Sequence, residues 1–265
     1  MSVGRPQQLK IVFALEVRSG SDVRLGDEDF RPLFKAGGVD GRRVLQTIAS
    51  TMQELGIAPG FRRPNGMIVS VKGIERQIEL ERKWPPGLEA DGLAFQVGDV
   101  TAMRQSFVLV QEKKAGAADL WDAWILPFLG DPNFVQGWVS DIEYDYWQNA
   151  TDPAEFTAAG HGFEHLPLKS NGLPPPLEKK VIDTSRNPGR WTFRPGYIEA
   201  IGSPMWLGPR FWALVGRDGV EALQRVPWLE TSKPYDGILK LSAGLSFEDE
   251  TSQVFQNELR ARLYG

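Results

Sequence analysis

Leu9-Lys10-Ile11-Val12-Phe13-Ala14-Leu15-Glu16-Val17 sets a strongly apolar series (Leu9, Ile11, Phe13, Leu15, Val17) against a mixed one (Lys10, Val12, Ala14, Glu16). Successive strand side chains point to opposite faces, so this alternation predicts a strand with one face in a core. The period then changes. From Asp40 to Leu55, the residues Val44, Leu45, Ile48, Ala49, Met52 and Leu55 recur at helical spacing, and Asp40 is placed to cap the first turn. Gly56 can close that helix, and Pro59 lies just beyond it. Met67 to Val71 and Phe107 to Gln111 read as short strands. Asp119 to Leu126 places Leu120, Trp121, Trp124 and Ile125 on one helical face, with Pro127 as its stop.

In the second half, Gln136 to Trp147 reads as a strand. Gln148 to Lys180 is irregular and carries Asn171-Gly172 and Pro174-Pro175-Pro176, the pattern of a functional loop or linker. Trp191 to Trp206 reads as two strands joined near Pro195-Gly196. Asp218-x-x-Glu221 predicts a short capped helix running to Val226, and Gly237 to Leu245 a further strand. Ser246-x-x-Asp249 then caps a last helix with Val254, Phe255, Leu259 and Leu263 on one stripe, acidic at its start and basic at its end. Strands and helices do not alternate regularly. The expected class is therefore α+β, a mixed or antiparallel sheet with flanking helices and no regular βαβ alternation. One domain over residues 1–265 is expected, with two similar lobes as the alternative.

Composition narrows the function. At 42% hydrophobic and 24% charged, the 265-residue chain is that of a globular protein. No apolar run approaches the roughly 18 residues of a membrane-spanning helix. The N-terminus lacks the pattern of a secretory signal, so a cytoplasmic protein without membrane attachment is expected. The absence of cysteine removes disulfides, thiolate metal sites and cysteine nucleophiles. Thirty Lys and Arg against 34 Asp and Glu leave a net charge of −4, and the basic clusters are short, so direct nucleic-acid binding is not expected. Phosphate-binding, dinucleotide-binding and nucleophile-elbow motifs do not occur, and no cofactor or catalytic residue is assigned.

Two local patterns compete for a site. His161-Gly162-Phe163-Glu164-His165 fits the H-x-x-E-H string of inverted zinc proteases, in which two His bind metal and the Glu acts as base. It gives the alternative reading of a metal-dependent hydrolase using His161 and His165. Gly160 and Gly162 interrupt the helix such a site needs, and Pro167 follows closely, so a solvated loop is the preferred expectation. The second pattern is Ser140-Asp141-Ile142-Glu143-Tyr144-Asp145-Tyr146-Trp147. Read as a strand, it lines Asp141, Glu143 and Asp145 along one face and sends Ile142, Tyr144 and Tyr146 to the other. Such a row repels itself and needs water or a cation; a solvated face, a partner-binding face and a hard-cation site are its three readings. Nine Trp add to the supply of core residues and interface anchors.

The order of parts resembles a known family. An opening strand, an amphipathic helix, the Trp-rich segment from Asp119 to Trp147, Gly202-Ser203-Pro204-Met205-Trp206-Leu207-Gly208, Asp236-Gly237-Ile238-Leu239-Lys240-Leu241 and Phe247-Glu248-Asp249 before a terminal helix follow one another from Leu9 to Leu263. In this the chain resembles the immunity proteins encoded beside bacterial polymorphic toxins and type VI secretion effectors, above all the immunity protein 52 family. The resemblance implies a non-enzymatic α+β protein that binds and neutralises a cognate toxin, typically a DNA-cutting nuclease. On that reading the acidic row Asp141, Glu143 and Asp145 supplies part of the electrostatic contact, with Tyr144, Tyr146 or Trp147 as adjacent anchors or core.

Overall fold

The computed structural model describes residues 4–16, 36–118, 120–217, 223, 226–243, 247 and 250–265. The opening alternation becomes β1 (Gln7–Glu16), whose last expected residue, Val17, lies outside the described residues. β1 pairs antiparallel on one side with β7 (Gln105–Glu112) and on the other with β8 (Phe134–Asp141). From β7 the sheet continues through β6 (Leu93–Val100), β5 (Leu88–Ala90) and β3 (Phe61–Arg62) to β4 (Ile68–Val69) at one edge. From β8 it continues through β13 (Met205–Leu207) and β15 (Ile238–Ala243) to β14 (Leu229–Tyr235) at the other. The short β2 (Ala36–Gly37) also lies against β1. Every pairing is antiparallel, which realises the expected α+β class.

Each face of this sheet is covered, and the alternation in β1 explains how. Leu9, Ile11 and Phe13 point into a core with α1 (Gly41–Glu54), α2 (Val71–Glu81) and α3 (Trp121–Ile125), centred on Leu45, Ile48, Ile74, Phe95 and Trp124. Val12 and Ala14 point the other way, into a second core with α6 (Pro209–Val215) and α7 (Gln253–Tyr264), centred on Trp138, Met205, Phe211, Leu259 and Leu263. α1 begins where expected, because the Asp40 carboxylate accepts the Arg42 backbone N–H at 3.0 Å. Pro127 does not stop α3 cleanly but sits in a 3₁₀ turn, Leu126–Phe128, that extends it.

Several expectations need correction. The strand expected over Met67 to Val71 is only β4, and Val71 instead begins α2, for which Ser70 accepts from Gly73 N–H as the cap. The segment 148–180 is not irregular throughout. It contains α5 (Pro153–Ala158) and β9 (Leu168–Ser170), and β9 pairs with β10 (Lys180–Ile182) in a separate two-stranded ribbon. On α7, Val254 is solvent-exposed while Leu259, Leu263, Gln256 and Arg260 are buried, so the apolar stripe is narrower than the four expected residues. The helix expected at 218–226 and the Ser246-x-x-Asp249 cap fall largely outside the described residues. Among those described, no helix is long and apolar enough to cross a membrane.

The two strands expected on either side of Pro195-Gly196 are β11 (Thr192–Arg194) and β12 (Tyr197–Glu199). They form a hairpin lying over the second face, docked by two buried glutamines. Gln136 donates to Ile198 O at 2.8 Å and accepts from Ile198 N–H at 3.2 Å, while Gln105 donates to the carbonyls of Arg194 and Tyr197 at 2.6 Å each. Gln136→Leu strands the Ile198 N–H in an apolar layer and leaves its carbonyl only the longer bond from the Tyr264 hydroxyl at 3.4 Å, so a loss of about 1 to 3 kcal/mol is expected by urea unfolding. A wild-type unfolding curve would show that the hairpin does not depend on this bond.

Candidate functional site

The Ser140–Trp147 segment does not continue as a strand. β8 ends at Asp141, and Ile142–Asn149 forms α4. Acidic and apolar residues that alternate over eight positions fit a strand, yet the same residues carry a helix signal. The Asp141 carboxylate accepts the Tyr144 backbone N–H at 2.6 Å, and Glu143 and Asp145 fall in the first turn, where the helix dipole favours negative charge. The helical period breaks up the expected acidic row. Asp141 and Asp145, four residues apart, are both buried, whereas Glu143 faces solvent. A continuous electrostatic face of three carboxylates is therefore not present.

The inner side of α4 holds a charge cluster that sequence reasoning missed. Lys10 is 8% exposed and Asp145 6%. The Lys10 ammonium lies 4.1 Å from the ring centroid of Trp191, 5.2 Å from that of Phe107 and 5.8 Å from that of Phe193, an aromatic box that takes the place of water. Burial pulls the Lys10 amine down to about 8, an effect that the Asp145 charge partly offsets. Burial likewise pushes Asp145 up to about 7, opposed by Lys10 and by the bond that Gln8 donates to its Oδ2 at 2.8 Å. The Trp191 indole opposes it too, without full hydrogen-bond geometry, and the Asp141 charge adds to the rise. Gln111 donates to Gln8 Oε1 at 2.8 Å, which orients the relay from β7 through β1 to α4. So little of either charged group reaches solvent that the pair functions as a structural network rather than as an acid and base for a substrate. The signal was in β1 itself. Val12 and Ala14, on the same face as Lys10, are apolar, so that face too had to be covered.

The neighbouring aromatics divide in the same way. Tyr144 is half-buried, and its hydroxyl accepts from Gln256 of α7 at 3.0 Å. Trp147 packs edge-on against Tyr146 at 4.9 Å between centroids, and also against Phe156 at 4.7 Å and His161 at 4.5 Å. It belongs to a small satellite core with Ala150, Phe156, Phe163, Leu166 and Ile182. His161 and His165 are exposed on a non-helical stretch and are not one helical turn apart, so the geometry the zinc reading requires is missing. Among the described residues no group of three His, Cys, Asp or Glu converges as a metal site.

This satellite core anchors an arm, the ribbon of β9 and β10 with its connecting loop. The loop is held by its own side chains. Asn171 donates to Leu177 O at 3.0 Å and its Oδ1 accepts from the backbone of Leu173 and Lys179 at 3.2 Å each; Ser170 Oγ accepts from Gly172 N–H at 3.1 Å. Leu168, Leu173 and Leu177 are nevertheless 45%, 49% and 66% exposed, and at the arm's root Tyr146 is 48% exposed. Lys169 pairs with Asp183 at 2.8 Å and Lys179 with Asp152 at 3.3 Å, so the arm is not strongly charged in either sense. Comparison of the chain with protein-family models, with curated proteins and with solved structures gave no match.

Proposed function

We propose that this chain acts by binding another protein, as a toxin-neutralising immunity protein of the kind its sequence resembles. The contact surface in this reading is the arm together with the outer side of α4. One observation carries it: Leu168 on β9 and Leu173 and Leu177 on the following loop are presented to solvent, and Asn171 and Ser170 hold that loop in shape. Single exposed leucines are ordinary, but three on one ribbon, with an exposed tyrosine at its base, offer apolar anchors on a loop whose ordering cost is met before binding. The target as a DNA-cutting nuclease rests on the resemblance. The surface itself calls for a partner with apolar pockets, since Glu143 is the only carboxylate of the expected row that faces solvent.

Neutralising Glu143 to Gln should therefore change the association rate only a few-fold and leave its salt dependence nearly intact. A large loss of rate would restore charge steering as the main contribution. The test of the function is coexpression with the product of the adjoining gene. That product is expected to arrest growth alone and to be neutralised by this chain, but not by a folded Leu173→Ser/Leu177→Ser variant. A harmless neighbour, or toxicity that survives coexpression, would overturn the reading.

A further inference from the structure

A groove of about 640 Å³ opens among α1, α2 and β6, away from the arm and the Lys10 cluster, within the size range of small-molecule sites. Four of its thirteen lining residues are large apolar ones. They are Val39, Ile78, Trp84 and Val97, and all four also belong to or pack on the first core. The Trp84 indole is fixed there by donating to Phe95 O at 3.0 Å. The rim carries charges of both signs, and most are already engaged. Asp40 is occupied with the Arg42 backbone, Arg42 pairs with Glu79 at 3.6 Å, and Asp99 has interactions of its own. Arg82 and Lys83 are left, both exposed and without an ion-pair partner among the described residues.

Arg82 adds a second observation. It ends α2 with φ 55°, the left-handed region where glycine is the usual residue. This left-handed cap sets Arg82 at the rim of the groove, directly before Lys83.

We infer that this groove binds a small organic anion, with a planar ring lying over Val39, Ile78, Trp84 and Val97 and a phosphate or carboxylate held by Arg82 and Lys83. Guanidinium and ammonium groups both bind such anions, and the aromatic floor gives the ring a flat partner. The inference is independent of the proposed toxin contact, which lies elsewhere.

Calorimetric titration tests it with four probes: adenosine 5′-monophosphate, indole-3-acetate, adenosine and inorganic phosphate. At least one ring-bearing anion is expected to bind with submillimolar affinity, and adenosine and phosphate at least about tenfold more weakly. Preference for the monophosphate identifies the anion as phosphate, and preference for the indole acid identifies it as carboxylate. Arg82→Ala/Lys83→Ala should reduce that affinity by about tenfold or more. Arg82→Gly should reduce it while raising the melting temperature, because glycine relieves the backbone at that position. No binding by either ring-bearing anion, equal binding of adenosine, or affinity unchanged in both variants would overturn the inference.

Discussion

Asp145→Ala is expected to destabilise the protein by about 3 to 5 kcal/mol near neutral pH, because it leaves the Lys10 ammonium buried without its counter-charge. It also removes the acceptor of the Gln8 side chain. Replacing both members, Lys10→Met with Asp145→Asn, should recover most or all of that loss. Methionine fills the aromatic box without a charge, and asparagine keeps an acceptor for Gln8. The pH dependence carries the same information. Asp145 holds its proton up to about 7 in the folded protein, against 3.8 ordinarily, so its contribution is full at low pH and is lost as pH rises through that window. Lys10 loses its proton near 8 rather than 10.5, so its contribution is lost as pH falls from 10.5 to about 8. The cluster therefore stabilises least between about pH 7 and 8, where both groups are charged. The difference in stability between wild type and the double variant should show that minimum. A difference that does not vary with pH from 4 to 10 would mean the pair is solvated.

The second large effect is expected at Arg260. Its guanidinium is buried in α7 and donates to Pro188 O at 3.0 and 3.2 Å, Arg190 O at 2.6 Å and Glu199 O at 3.4 Å. It also lies 5.8 Å from the centroid of the Tyr264 ring. Burial brings it down to about 10, so it remains a cation at physiological pH. These bonds fix residues 188–190, and the next residue is Trp191, one wall of the Lys10 box. The end of α4 grips the same stretch, through Gln148 to Gly189 N–H at 3.0 Å and Asn149 to Trp191 N–H at 2.6 Å. Arg260→Met keeps the aliphatic volume but takes the guanidinium donors away from the buried Pro188 carbonyl and from the part-buried carbonyls of Arg190 and Glu199. A loss of about 3 to 5 kcal/mol follows, lowering the melting temperature by on the order of 10 °C. A shift of only a degree or two would show that water replaces the guanidinium.

What was legible in the sequence follows from physical scale. β1 and α1 were readable because their periods persist over many residues and are bounded by caps or breakers. The α+β class followed from the lack of regular alternation, whereas the choice between a mixed and an antiparallel sheet stayed open until the strand pairings were seen. α4 was misread because eight residues are too few to separate a period of 2 from one of 3.6, and the deciding hydrogen bond, from Tyr144 N–H to Asp141, is local and polar. Lys10 was overlooked because a lysine opposite an apolar face ordinarily reaches solvent. Only the long-range placement of Trp191 and α4 over the sheet buries it. The arm lay within the segment already singled out as a functional loop, but its order depends on Asn171 closing a turn across eight residues, which composition does not display.

The inner side of α4 is buried against the Lys10 cluster, and its outer side is the one proposed to bind. The most direct test measures affinity for the cognate toxin in two variants alongside their melting temperatures. Tyr146→Ser with Leu173→Ser and Leu177→Ser should weaken binding by about a hundredfold while lowering the melting temperature by only a few degrees, the share of the Tyr146–Trp147 ring contact. Lys10→Met/Asp145→Asn should alter the pH dependence of stability and leave affinity as in wild type. Full affinity in the outer-side variant, together with loss of binding in a folded inner-side variant, would contradict the account.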